Sequence, residues 1–393
     1  MKMIENHVIC KNCILVDGFL GIKINEDQLC NFCVDPGHVN PNWSKVEITK
    51  EHRRKSLQDW TDVVKKMQDT QDKIHYDCVI GYSGGKDSTA LIDTIVNEYY
   101  LNPLLVSIDT GFMTDVAKQN MRDTLAKMDL FENHLLIENA IPTFSKLYQY
   151  YFLSHDSTKK ALTVEICHKC TDLIHTIIIK EALKRGIPYV IIGFSPDQIV
   201  RYFYETRSQD LINDGTPIPA ITEILSEEDR CWYLTQEEIS KIQSASFRVL
   251  YPYHVIDYDE KEIISRLESK GLIQKGKGDP LLTNCHVVKA ALFYDFYRYG
   301  GITYALQYSE LIRQEFDPQD RKKSRKSWLR TYKQIGKRML NGTFNQEGME
   351  IFFRNLGISK EKLLYRIEEK RSGDPDKVQI LHNIEQVRLN TLR

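Results

Sequence analysis

Short apolar runs recur through the middle of the chain, at residues 77–81, 104–108, 134–137 and 189–193. Between them lie stretches with helical spacing, at 89–96, around 114–129 and at 170–185. The runs are nearly continuous rather than alternating, as expected of strands buried on both faces. Strands alternating with helices predict βαβ units, and hence an α/β fold with a doubly wound parallel sheet. Residues 248–253 followed by 259–263 read as one more strand, turn and helix. Beyond about residue 285 the pattern is helical. Residues 36–75 open on Pro36, Gly37 and Pro41 and then become a polar helical connector. The predicted divisions are therefore 1–35, 36–75, 76–284 and 285–393.

Composition narrows the class without changing the fold. The 393 residues are 42% hydrophobic and 27% charged, as in an ordinary globular protein, with a formal net charge of −1. That balance excludes a globally basic nucleic-acid binder but leaves room for a local patch. No apolar run approaches the ~18 residues of a membrane span, and Met1 to His7 lack the apolar core of a signal peptide. A cytoplasmic location is the expectation.

The first candidate site joins the first strand to its helix. Val79-Ile80-Gly81-Tyr82-Ser83-Gly84-Gly85-Lys86-Asp87-Ser88-Thr89-Ala90 is a Gly-rich turn carrying one lysine and two serines. Such a turn aims backbone N–H groups and a helix N-terminus at a phosphate, and lysine adds a point charge. It is not the common P-loop, which needs glycine where Ile80 stands and Ser or Thr where Asp87 stands. Ser83, Lys86 and Asp87 are the catalytic candidates, with Gly84, Gly85 and Ser88 completing the cradle. Asp87 is suited to helping hold Mg²⁺ near phosphates. Asp109, Gly193 and Asp197 follow the ends of other strands, where ligands gather on such sheets. For Asp109 and Asp197, turn formation or N-capping is the competing explanation.

Six of the nine cysteines fall into three C-x-x-C pairs. Cys10/Cys13 and Cys30/Cys33 form two knuckles sixteen residues apart, which suits a tetrahedral structural Zn²⁺. Disulfides or an iron centre are the alternatives. Cys167/Cys170 precede a predicted helix inside the catalytic region, and Cys285 lies far downstream. Three thiolates can hold a [4Fe-4S] cluster with one iron left open. Otherwise the pair binds a second zinc or is incidental, and Cys285 is a small core residue. Nine Lys or Arg and no acidic residue occupy residues 321–338, with Trp328, Tyr332, Ile335 and Met339 at helical spacing. This stretch reads either as the solvated face of an amphipathic helix or as a contact for an anionic substrate.

The string Ser83-Gly84-Gly85-Lys86-Asp87-Ser88 resembles the PP-loop of the ATP-pyrophosphatase (adenine nucleotide alpha-hydrolase-like) superfamily. With the knuckles, Asp17, Gly21-Ile22, Asn102-Pro103-Leu104-Leu105-Val106 and Tyr304-Ala305-Leu306-Gln307-Tyr308-Ser309, the chain is similar to the N-acetyl sugar amidotransferase family over most of residues 8–315. The resemblance implies ATP as substrate, cleavage to AMP and pyrophosphate, and adenylation of an acetamido oxygen on a nucleotide- or lipid-linked amino sugar for surface polysaccharide. Ammonia from a separate glutaminase partner would then leave an acetamidino group. Two features depart from that family. Gly193-Phe194-Ser195-Pro196-Asp197-Gln198 replaces its Gly-Glu-Asn, and the set Cys167, Cys170 and Cys285 resembles cluster-dependent tRNA thiolation enzymes. Those share the loop but deliver sulfur, so tRNA or a small molecule is the alternative acceptor. A non-catalytic nucleotide-binding role is the third possibility.

Overall fold

The computed structural model describes residues 9–34, 50–69, 76–154, 163–195, 226–243, 246–278, 283, 285–315 and 317–391. They form two compact units. One comprises residues 47–147 and 168–285; the other comprises 1–46, 148–167 and 286–393.

The first unit is built on five parallel strands: β1 (Cys78–Gly81), β2 (Pro103–Ile108), β3 (His134–Ile137), β4 (Tyr189–Ile192) and β5 (Arg248–Leu250). Their spatial order is β3-β2-β1-β4-β5, with Val79 opposite Leu104 on one side and Val190 on the other. Every residue of β2 is buried, which is why the run lacks polar alternation. Its Ser107 is tolerated inside because its hydroxyl donates to the Tyr82 carbonyl at 2.7 Å and meets His134 Nε2 at 2.8 Å. Strand order reverses between β1 and β4, so the crevice beyond their carboxyl ends is the switch point at which such sheets bind ligands.

The helices predicted at 89–96 and 114–129 are present, the one predicted at 170–185 begins earlier, and two more at Ile141–Gln149 and Gln236–Ile242 have no sequence counterpart. Preceding β1, α1 (Asn31–Val34) closes the cysteine unit and α2 (Lys50–Asp69) supplies the helical part of the connector. Next come α3 (Lys86–Asn97), α4 (Asp115–Met128), α5 (Ile141–Gln149), α6 (Thr163–Lys184), α7 (Gln236–Ile242) and α8 (Glu260–Ser269). Thr114 caps α4 and Asp259 caps α8 through their side-chain oxygens. Helix α8 is fastened to α3 by the cluster Ala90, Ile263, Leu267, Leu272 and Ile273. Fully buried Asp93 is neutralised there by Lys270 at 2.8 Å.

The second unit is helical: α9 (His286–Tyr299), α10 (Tyr304–Gln314), α11 (Pro318–Leu340), α12 (Gln346–Leu356), α13 (Lys360–Ser372) and α14 (Lys377–Thr391). Helix α9 is buried on nearly all sides, its Lys289, Asp295 and Arg298 along with its apolar residues. Its Tyr294 and the α12 residue Phe352 meet Phe152 edge-on at 5.8 and 5.0 Å. The cysteine unit belongs to this unit; Ile14 N–H donates to Ser309 Oγ, and Asn383 Nδ2 donates to the Asp17 carbonyl. No helix among the described residues is long and apolar enough to cross a membrane.

Candidate active site and metal centre

The Gly-rich turn lies beyond the carboxyl end of β1, at the switch point. Ser83 N–H donates to Ser88 Oγ at 3.3 Å, Gly85 N–H to Ser83 Oγ at 3.4 Å, and Ser88 Oγ to the Gly85 carbonyl at 3.2 Å. The two serines therefore hold the turn in shape. Gly84 has φ +72°, and a Cβ there would lie 2.3 Å from the Ala117 carbonyl oxygen. Only glycine satisfies both the left-handed backbone and that approach of α4. Gly193 serves a similar end, since its Cβ would sit 3.1 Å from Ser88 Cα. It lets the end of β4 pack against the backbone of the turn. Gly85 caps α3 without a side chain, so the first amides of the helix keep their donor capacity.

Lys86 is the buried charge of the site, 5% exposed. Its Nζ lies 2.9 and 2.8 Å from the two Asp87 carboxylate oxygens, 3.1 Å from Tyr258 Oη and 3.2 Å from Glu260 Oε1. Burial alone would lower its pKa, but the charges of Asp87 and Glu260 outweigh this and hold it above the usual lysine value. Tyr258 also donates to Asp87 Oδ1 at 2.7 Å, and Tyr253 to the Asp87 carbonyl at 3.0 Å. Glu260, Tyr258 and Tyr253 are thus site residues that sequence reading missed. They lie some 170 positions from Lys86, and nothing in their spacing indicates that the cap of α8 returns to the turn.

Asp109 ends β2, accepts from Gly111 N–H at 2.8 Å and pairs with Lys118 at 2.8 Å. It is thus both a turn former and a paired carboxylate. Ser195 is buried at the end of the segment after β4, while Asp197 lies outside the described residues. Beside that segment, the His175 ring of α6 lies tilted against Phe194 at 5.2 Å and Tyr251 at 6.4 Å. Burial lowers the His175 pKa to about 4.

The four cysteines of the two knuckles converge. Cys10, Cys13, Cys30 and Cys33 place their sulfurs within 4.8 Å of one another. Cys10 and Cys33 are 3.8 Å apart, Cys13 and Cys30 3.6 Å. Zn–S bonds of about 2.3 Å in a tetrahedron require sulfurs about 3.8 Å apart. A disulfide requires about 2.05 Å, so the knuckles are not paired that way. Cys30 N–H and Leu15 N–H donate to Cys10 and Cys13 sulfurs. Hydrogen bonds from Cys13, Cys30 and Cys33 drive the Cys10 thiol far down. Cys13 and Cys30, donating to that thiolate, are driven up. A bound cation would take the place of those shared protons.

Cys167 and Cys170 lie one turn apart on α6, half-buried, and Cys285 immediately precedes α9, half-buried as well. Cys167 belongs to the helical unit, Cys170 and Cys285 to the sheet unit. Among the described residues, the group of metal-ligating side chains within reach of one ion is the N-terminal tetrad. Cys78 is buried in β1, and Cys231 is exposed with its thiol on the Glu228 carbonyl.

No known family profile matches the chain. An uncharacterized protein of Methanocaldococcus jannaschii is 28% identical over 118 residues, which is 30% of this chain and 38% of that relative's length. Among solved structures, the U34-tRNA thiolase NcsA from Methanococcus maripaludis with its [4Fe-4S] cluster aligns with a TM-score of 0.32 and 14% identity. That alignment covers 84% of this chain and 88% of that one.

Proposed function

We propose that this chain is an ATP-dependent transferase that forms AMP and pyrophosphate by adenylating a carbonyl oxygen. The observation that carries the reading is the Ser83–Ser88 turn, held open at the switch point of the sheet with a buried Lys86 at its centre. In the proposed step a carbonyl oxygen of the acceptor attacks the α-phosphorus. The bond from that phosphorus to the bridging oxygen breaks, and pyrophosphate leaves with the electron pair. The turn amides and Lys86 neutralise the charge that develops on pyrophosphate, and Asp87 is placed to hold Mg²⁺ beside it. Ser83 and Ser88 keep the amides aimed. A nucleophile then adds to the activated carbon and expels AMP.

For that nucleophile we favour sulfur, with RNA or a small molecule as acceptor. The presence of Cys167, Cys170 and Cys285, the set that resembles cluster-dependent thiolation enzymes, supports this reading. A [4Fe-4S] cluster on those three thiolates would supply an open iron for sulfide. The amidotransferase reading, with ammonia as nucleophile and an acetamido sugar as acceptor, rests on the sequence resemblance in the knuckles, the loop, Asn102–Val106 and Tyr304–Ser309. Zn²⁺ in the N-terminal tetrad is structural in either case, since four thiolates leave no open position.

The test supplies ATP with labelled sulfide or labelled ammonia to the anaerobically purified protein, with either a tRNA transcript or a nucleotide-linked acetamido sugar. Sulfur in RNA supports the favoured reading, and nitrogen in the sugar overturns it in favour of the amidotransferase. AMP formation with neither acceptor labelled removes both assignments.

A further inference from the structure

Helix α11 has two faces of opposite purpose. Tyr332, Ile335, Gly336 and Met339 are buried, and Trp328 stacks on Tyr308 at 4.0 Å. Two of its arginines also turn inward. Arg325 donates to the Cys13 carbonyl at 2.9 Å and the Cys10 carbonyl at 2.6 Å, and Arg321 donates twice to the Glu315 carbonyl. The other cations do not. Lys322, Lys326, Arg330, Lys333 and Lys337 are all exposed, at spacings of four, four, three and four residues, and so form one stripe. One positive charge per turn continues for about 22 Å at a rise of about 1.5 Å per residue.

Stability does not explain the stripe, because like charges at this spacing repel along a helix. Other exposed helices of this chain pair their charges instead, as Lys241 does with Glu237, Arg366 with Glu369 and Arg371 with Glu368. Among the described residues, α11 carries one such pair, Lys323 with Asp320, beside the stripe rather than in it. No acidic residue occurs between Asp320 and Glu347. On the helix packed behind it, α14, Glu385 is engaged by Arg388. A membrane surface is a poor fit, since none of the exposed large hydrophobic residues lies on α11. A linear track of evenly spaced cations without apolar anchors matches a phosphodiester backbone.

We propose that the exposed face of α11 binds the phosphate backbone of RNA. The choice of RNA rests on the thiolation reading; the choice of a polyphosphate rests on the stripe alone. The experiment measures binding of a fluorescein-labelled tRNA transcript to the full chain by anisotropy across a salt series. The variants are Lys326→Gln/Arg330→Gln/Lys333→Gln and, as a control on α13, Lys360→Gln/Lys362→Gln. Loss of three phosphate contacts should weaken binding at low salt at least about tenfold and reduce the log–log salt slope by about 2 to 3. The control should keep the wild-type slope. An unchanged slope in the triple variant, or an equal loss in the control, overturns the surface. Equal affinity for single-stranded DNA of the same length overturns RNA as its ligand. Binding is read without ATP and without turnover, so failure of the adenylation reading leaves this result standing.

Discussion

Lys86 is a buried cation gripped by two carboxylates and a phenol, yet its proposed task is to meet phosphate. Incoming phosphate oxygens must therefore compete with Asp87 and Glu260 for its ammonium. Glu260 is half exposed, so its pairing contributes no more than about 1 kcal/mol. Glu260→Gln should accordingly tighten nucleotide binding without Mg²⁺ by a few fold in titration calorimetry; weaker binding would show that Glu260 does not compete for the lysine. Lys86→Ala should abolish pyrophosphate release. Gly84→Ala incurs about 1–2 kcal/mol for the left-handed backbone and adds a collision with Ala117, so its melting temperature should fall. His175 has a folded pKa of about 4 against an ordinary 6.5. Below pH 6.5 the unfolded chain takes up a proton that the folded chain refuses, so stability falls as pH drops toward 4. His175→Phe should flatten that part of the melting-temperature profile, and an unchanged slope would contradict the assignment. Residues of the turn were legible in the sequence because their chemistry is local. Tyr258 and Glu260 were not, since only folding returns the start of α8 to the turn.

Periodicity located the five strands and the helices Lys86–Asn97 and Asp115–Met128 to within a few residues, because strands buried on both faces and amphipathic helices write different patterns. The largest difference is α6, which starts at Thr163 rather than near 170 and therefore carries Cys167 and Cys170 within the helix instead of ahead of it. Periodicity also identified α11 as two-faced but could not show that Arg321 and Arg325 spend their donors on backbone carbonyls. Arg325 makes α11 a support of the metal knuckle, since its guanidinium spans the Cys10 and Cys13 carbonyls; from α10, Arg313 lies 5.5 Å over Phe32. Hydrogen bonds from a charged donor contribute about 1.5–3 kcal/mol each. Arg325→Ala should thus lower the melting temperature and speed loss of Zn²⁺ to a chelator, read by a colorimetric zinc assay. Chelation of the wild type should deprotect amides in residues 9–34 in hydrogen exchange, because a unit of that size lacks a core large enough to hold it without the ion. Unchanged exchange would show that the tetrad is not structural.

At the scale of the whole molecule, the strand order β3-β2-β1-β4-β5 decides where chemistry can occur, since it opens the crevice at the end of β1. Alternation of strands and helices predicts a parallel sheet but not which strand stands at the centre. A linear reading also yields contiguous stretches, whereas the helical unit draws on residues 1–46, 148–167 and 286–393 together. Tertiary contacts among distant segments assemble it, and no local pattern records them. The incoming nucleophile is harder to read than the activation step, because a loop announces phosphate by its backbone while a cysteine announces several chemistries at once. The proposed reaction cleaves ATP between its α and β phosphates. Phosphorus NMR of ATP turned over by the full chain with Mg²⁺ and its acceptor should show AMP and pyrophosphate appearing together, with Lys86→Ala silent. ADP and inorganic phosphate as the products would contradict the account.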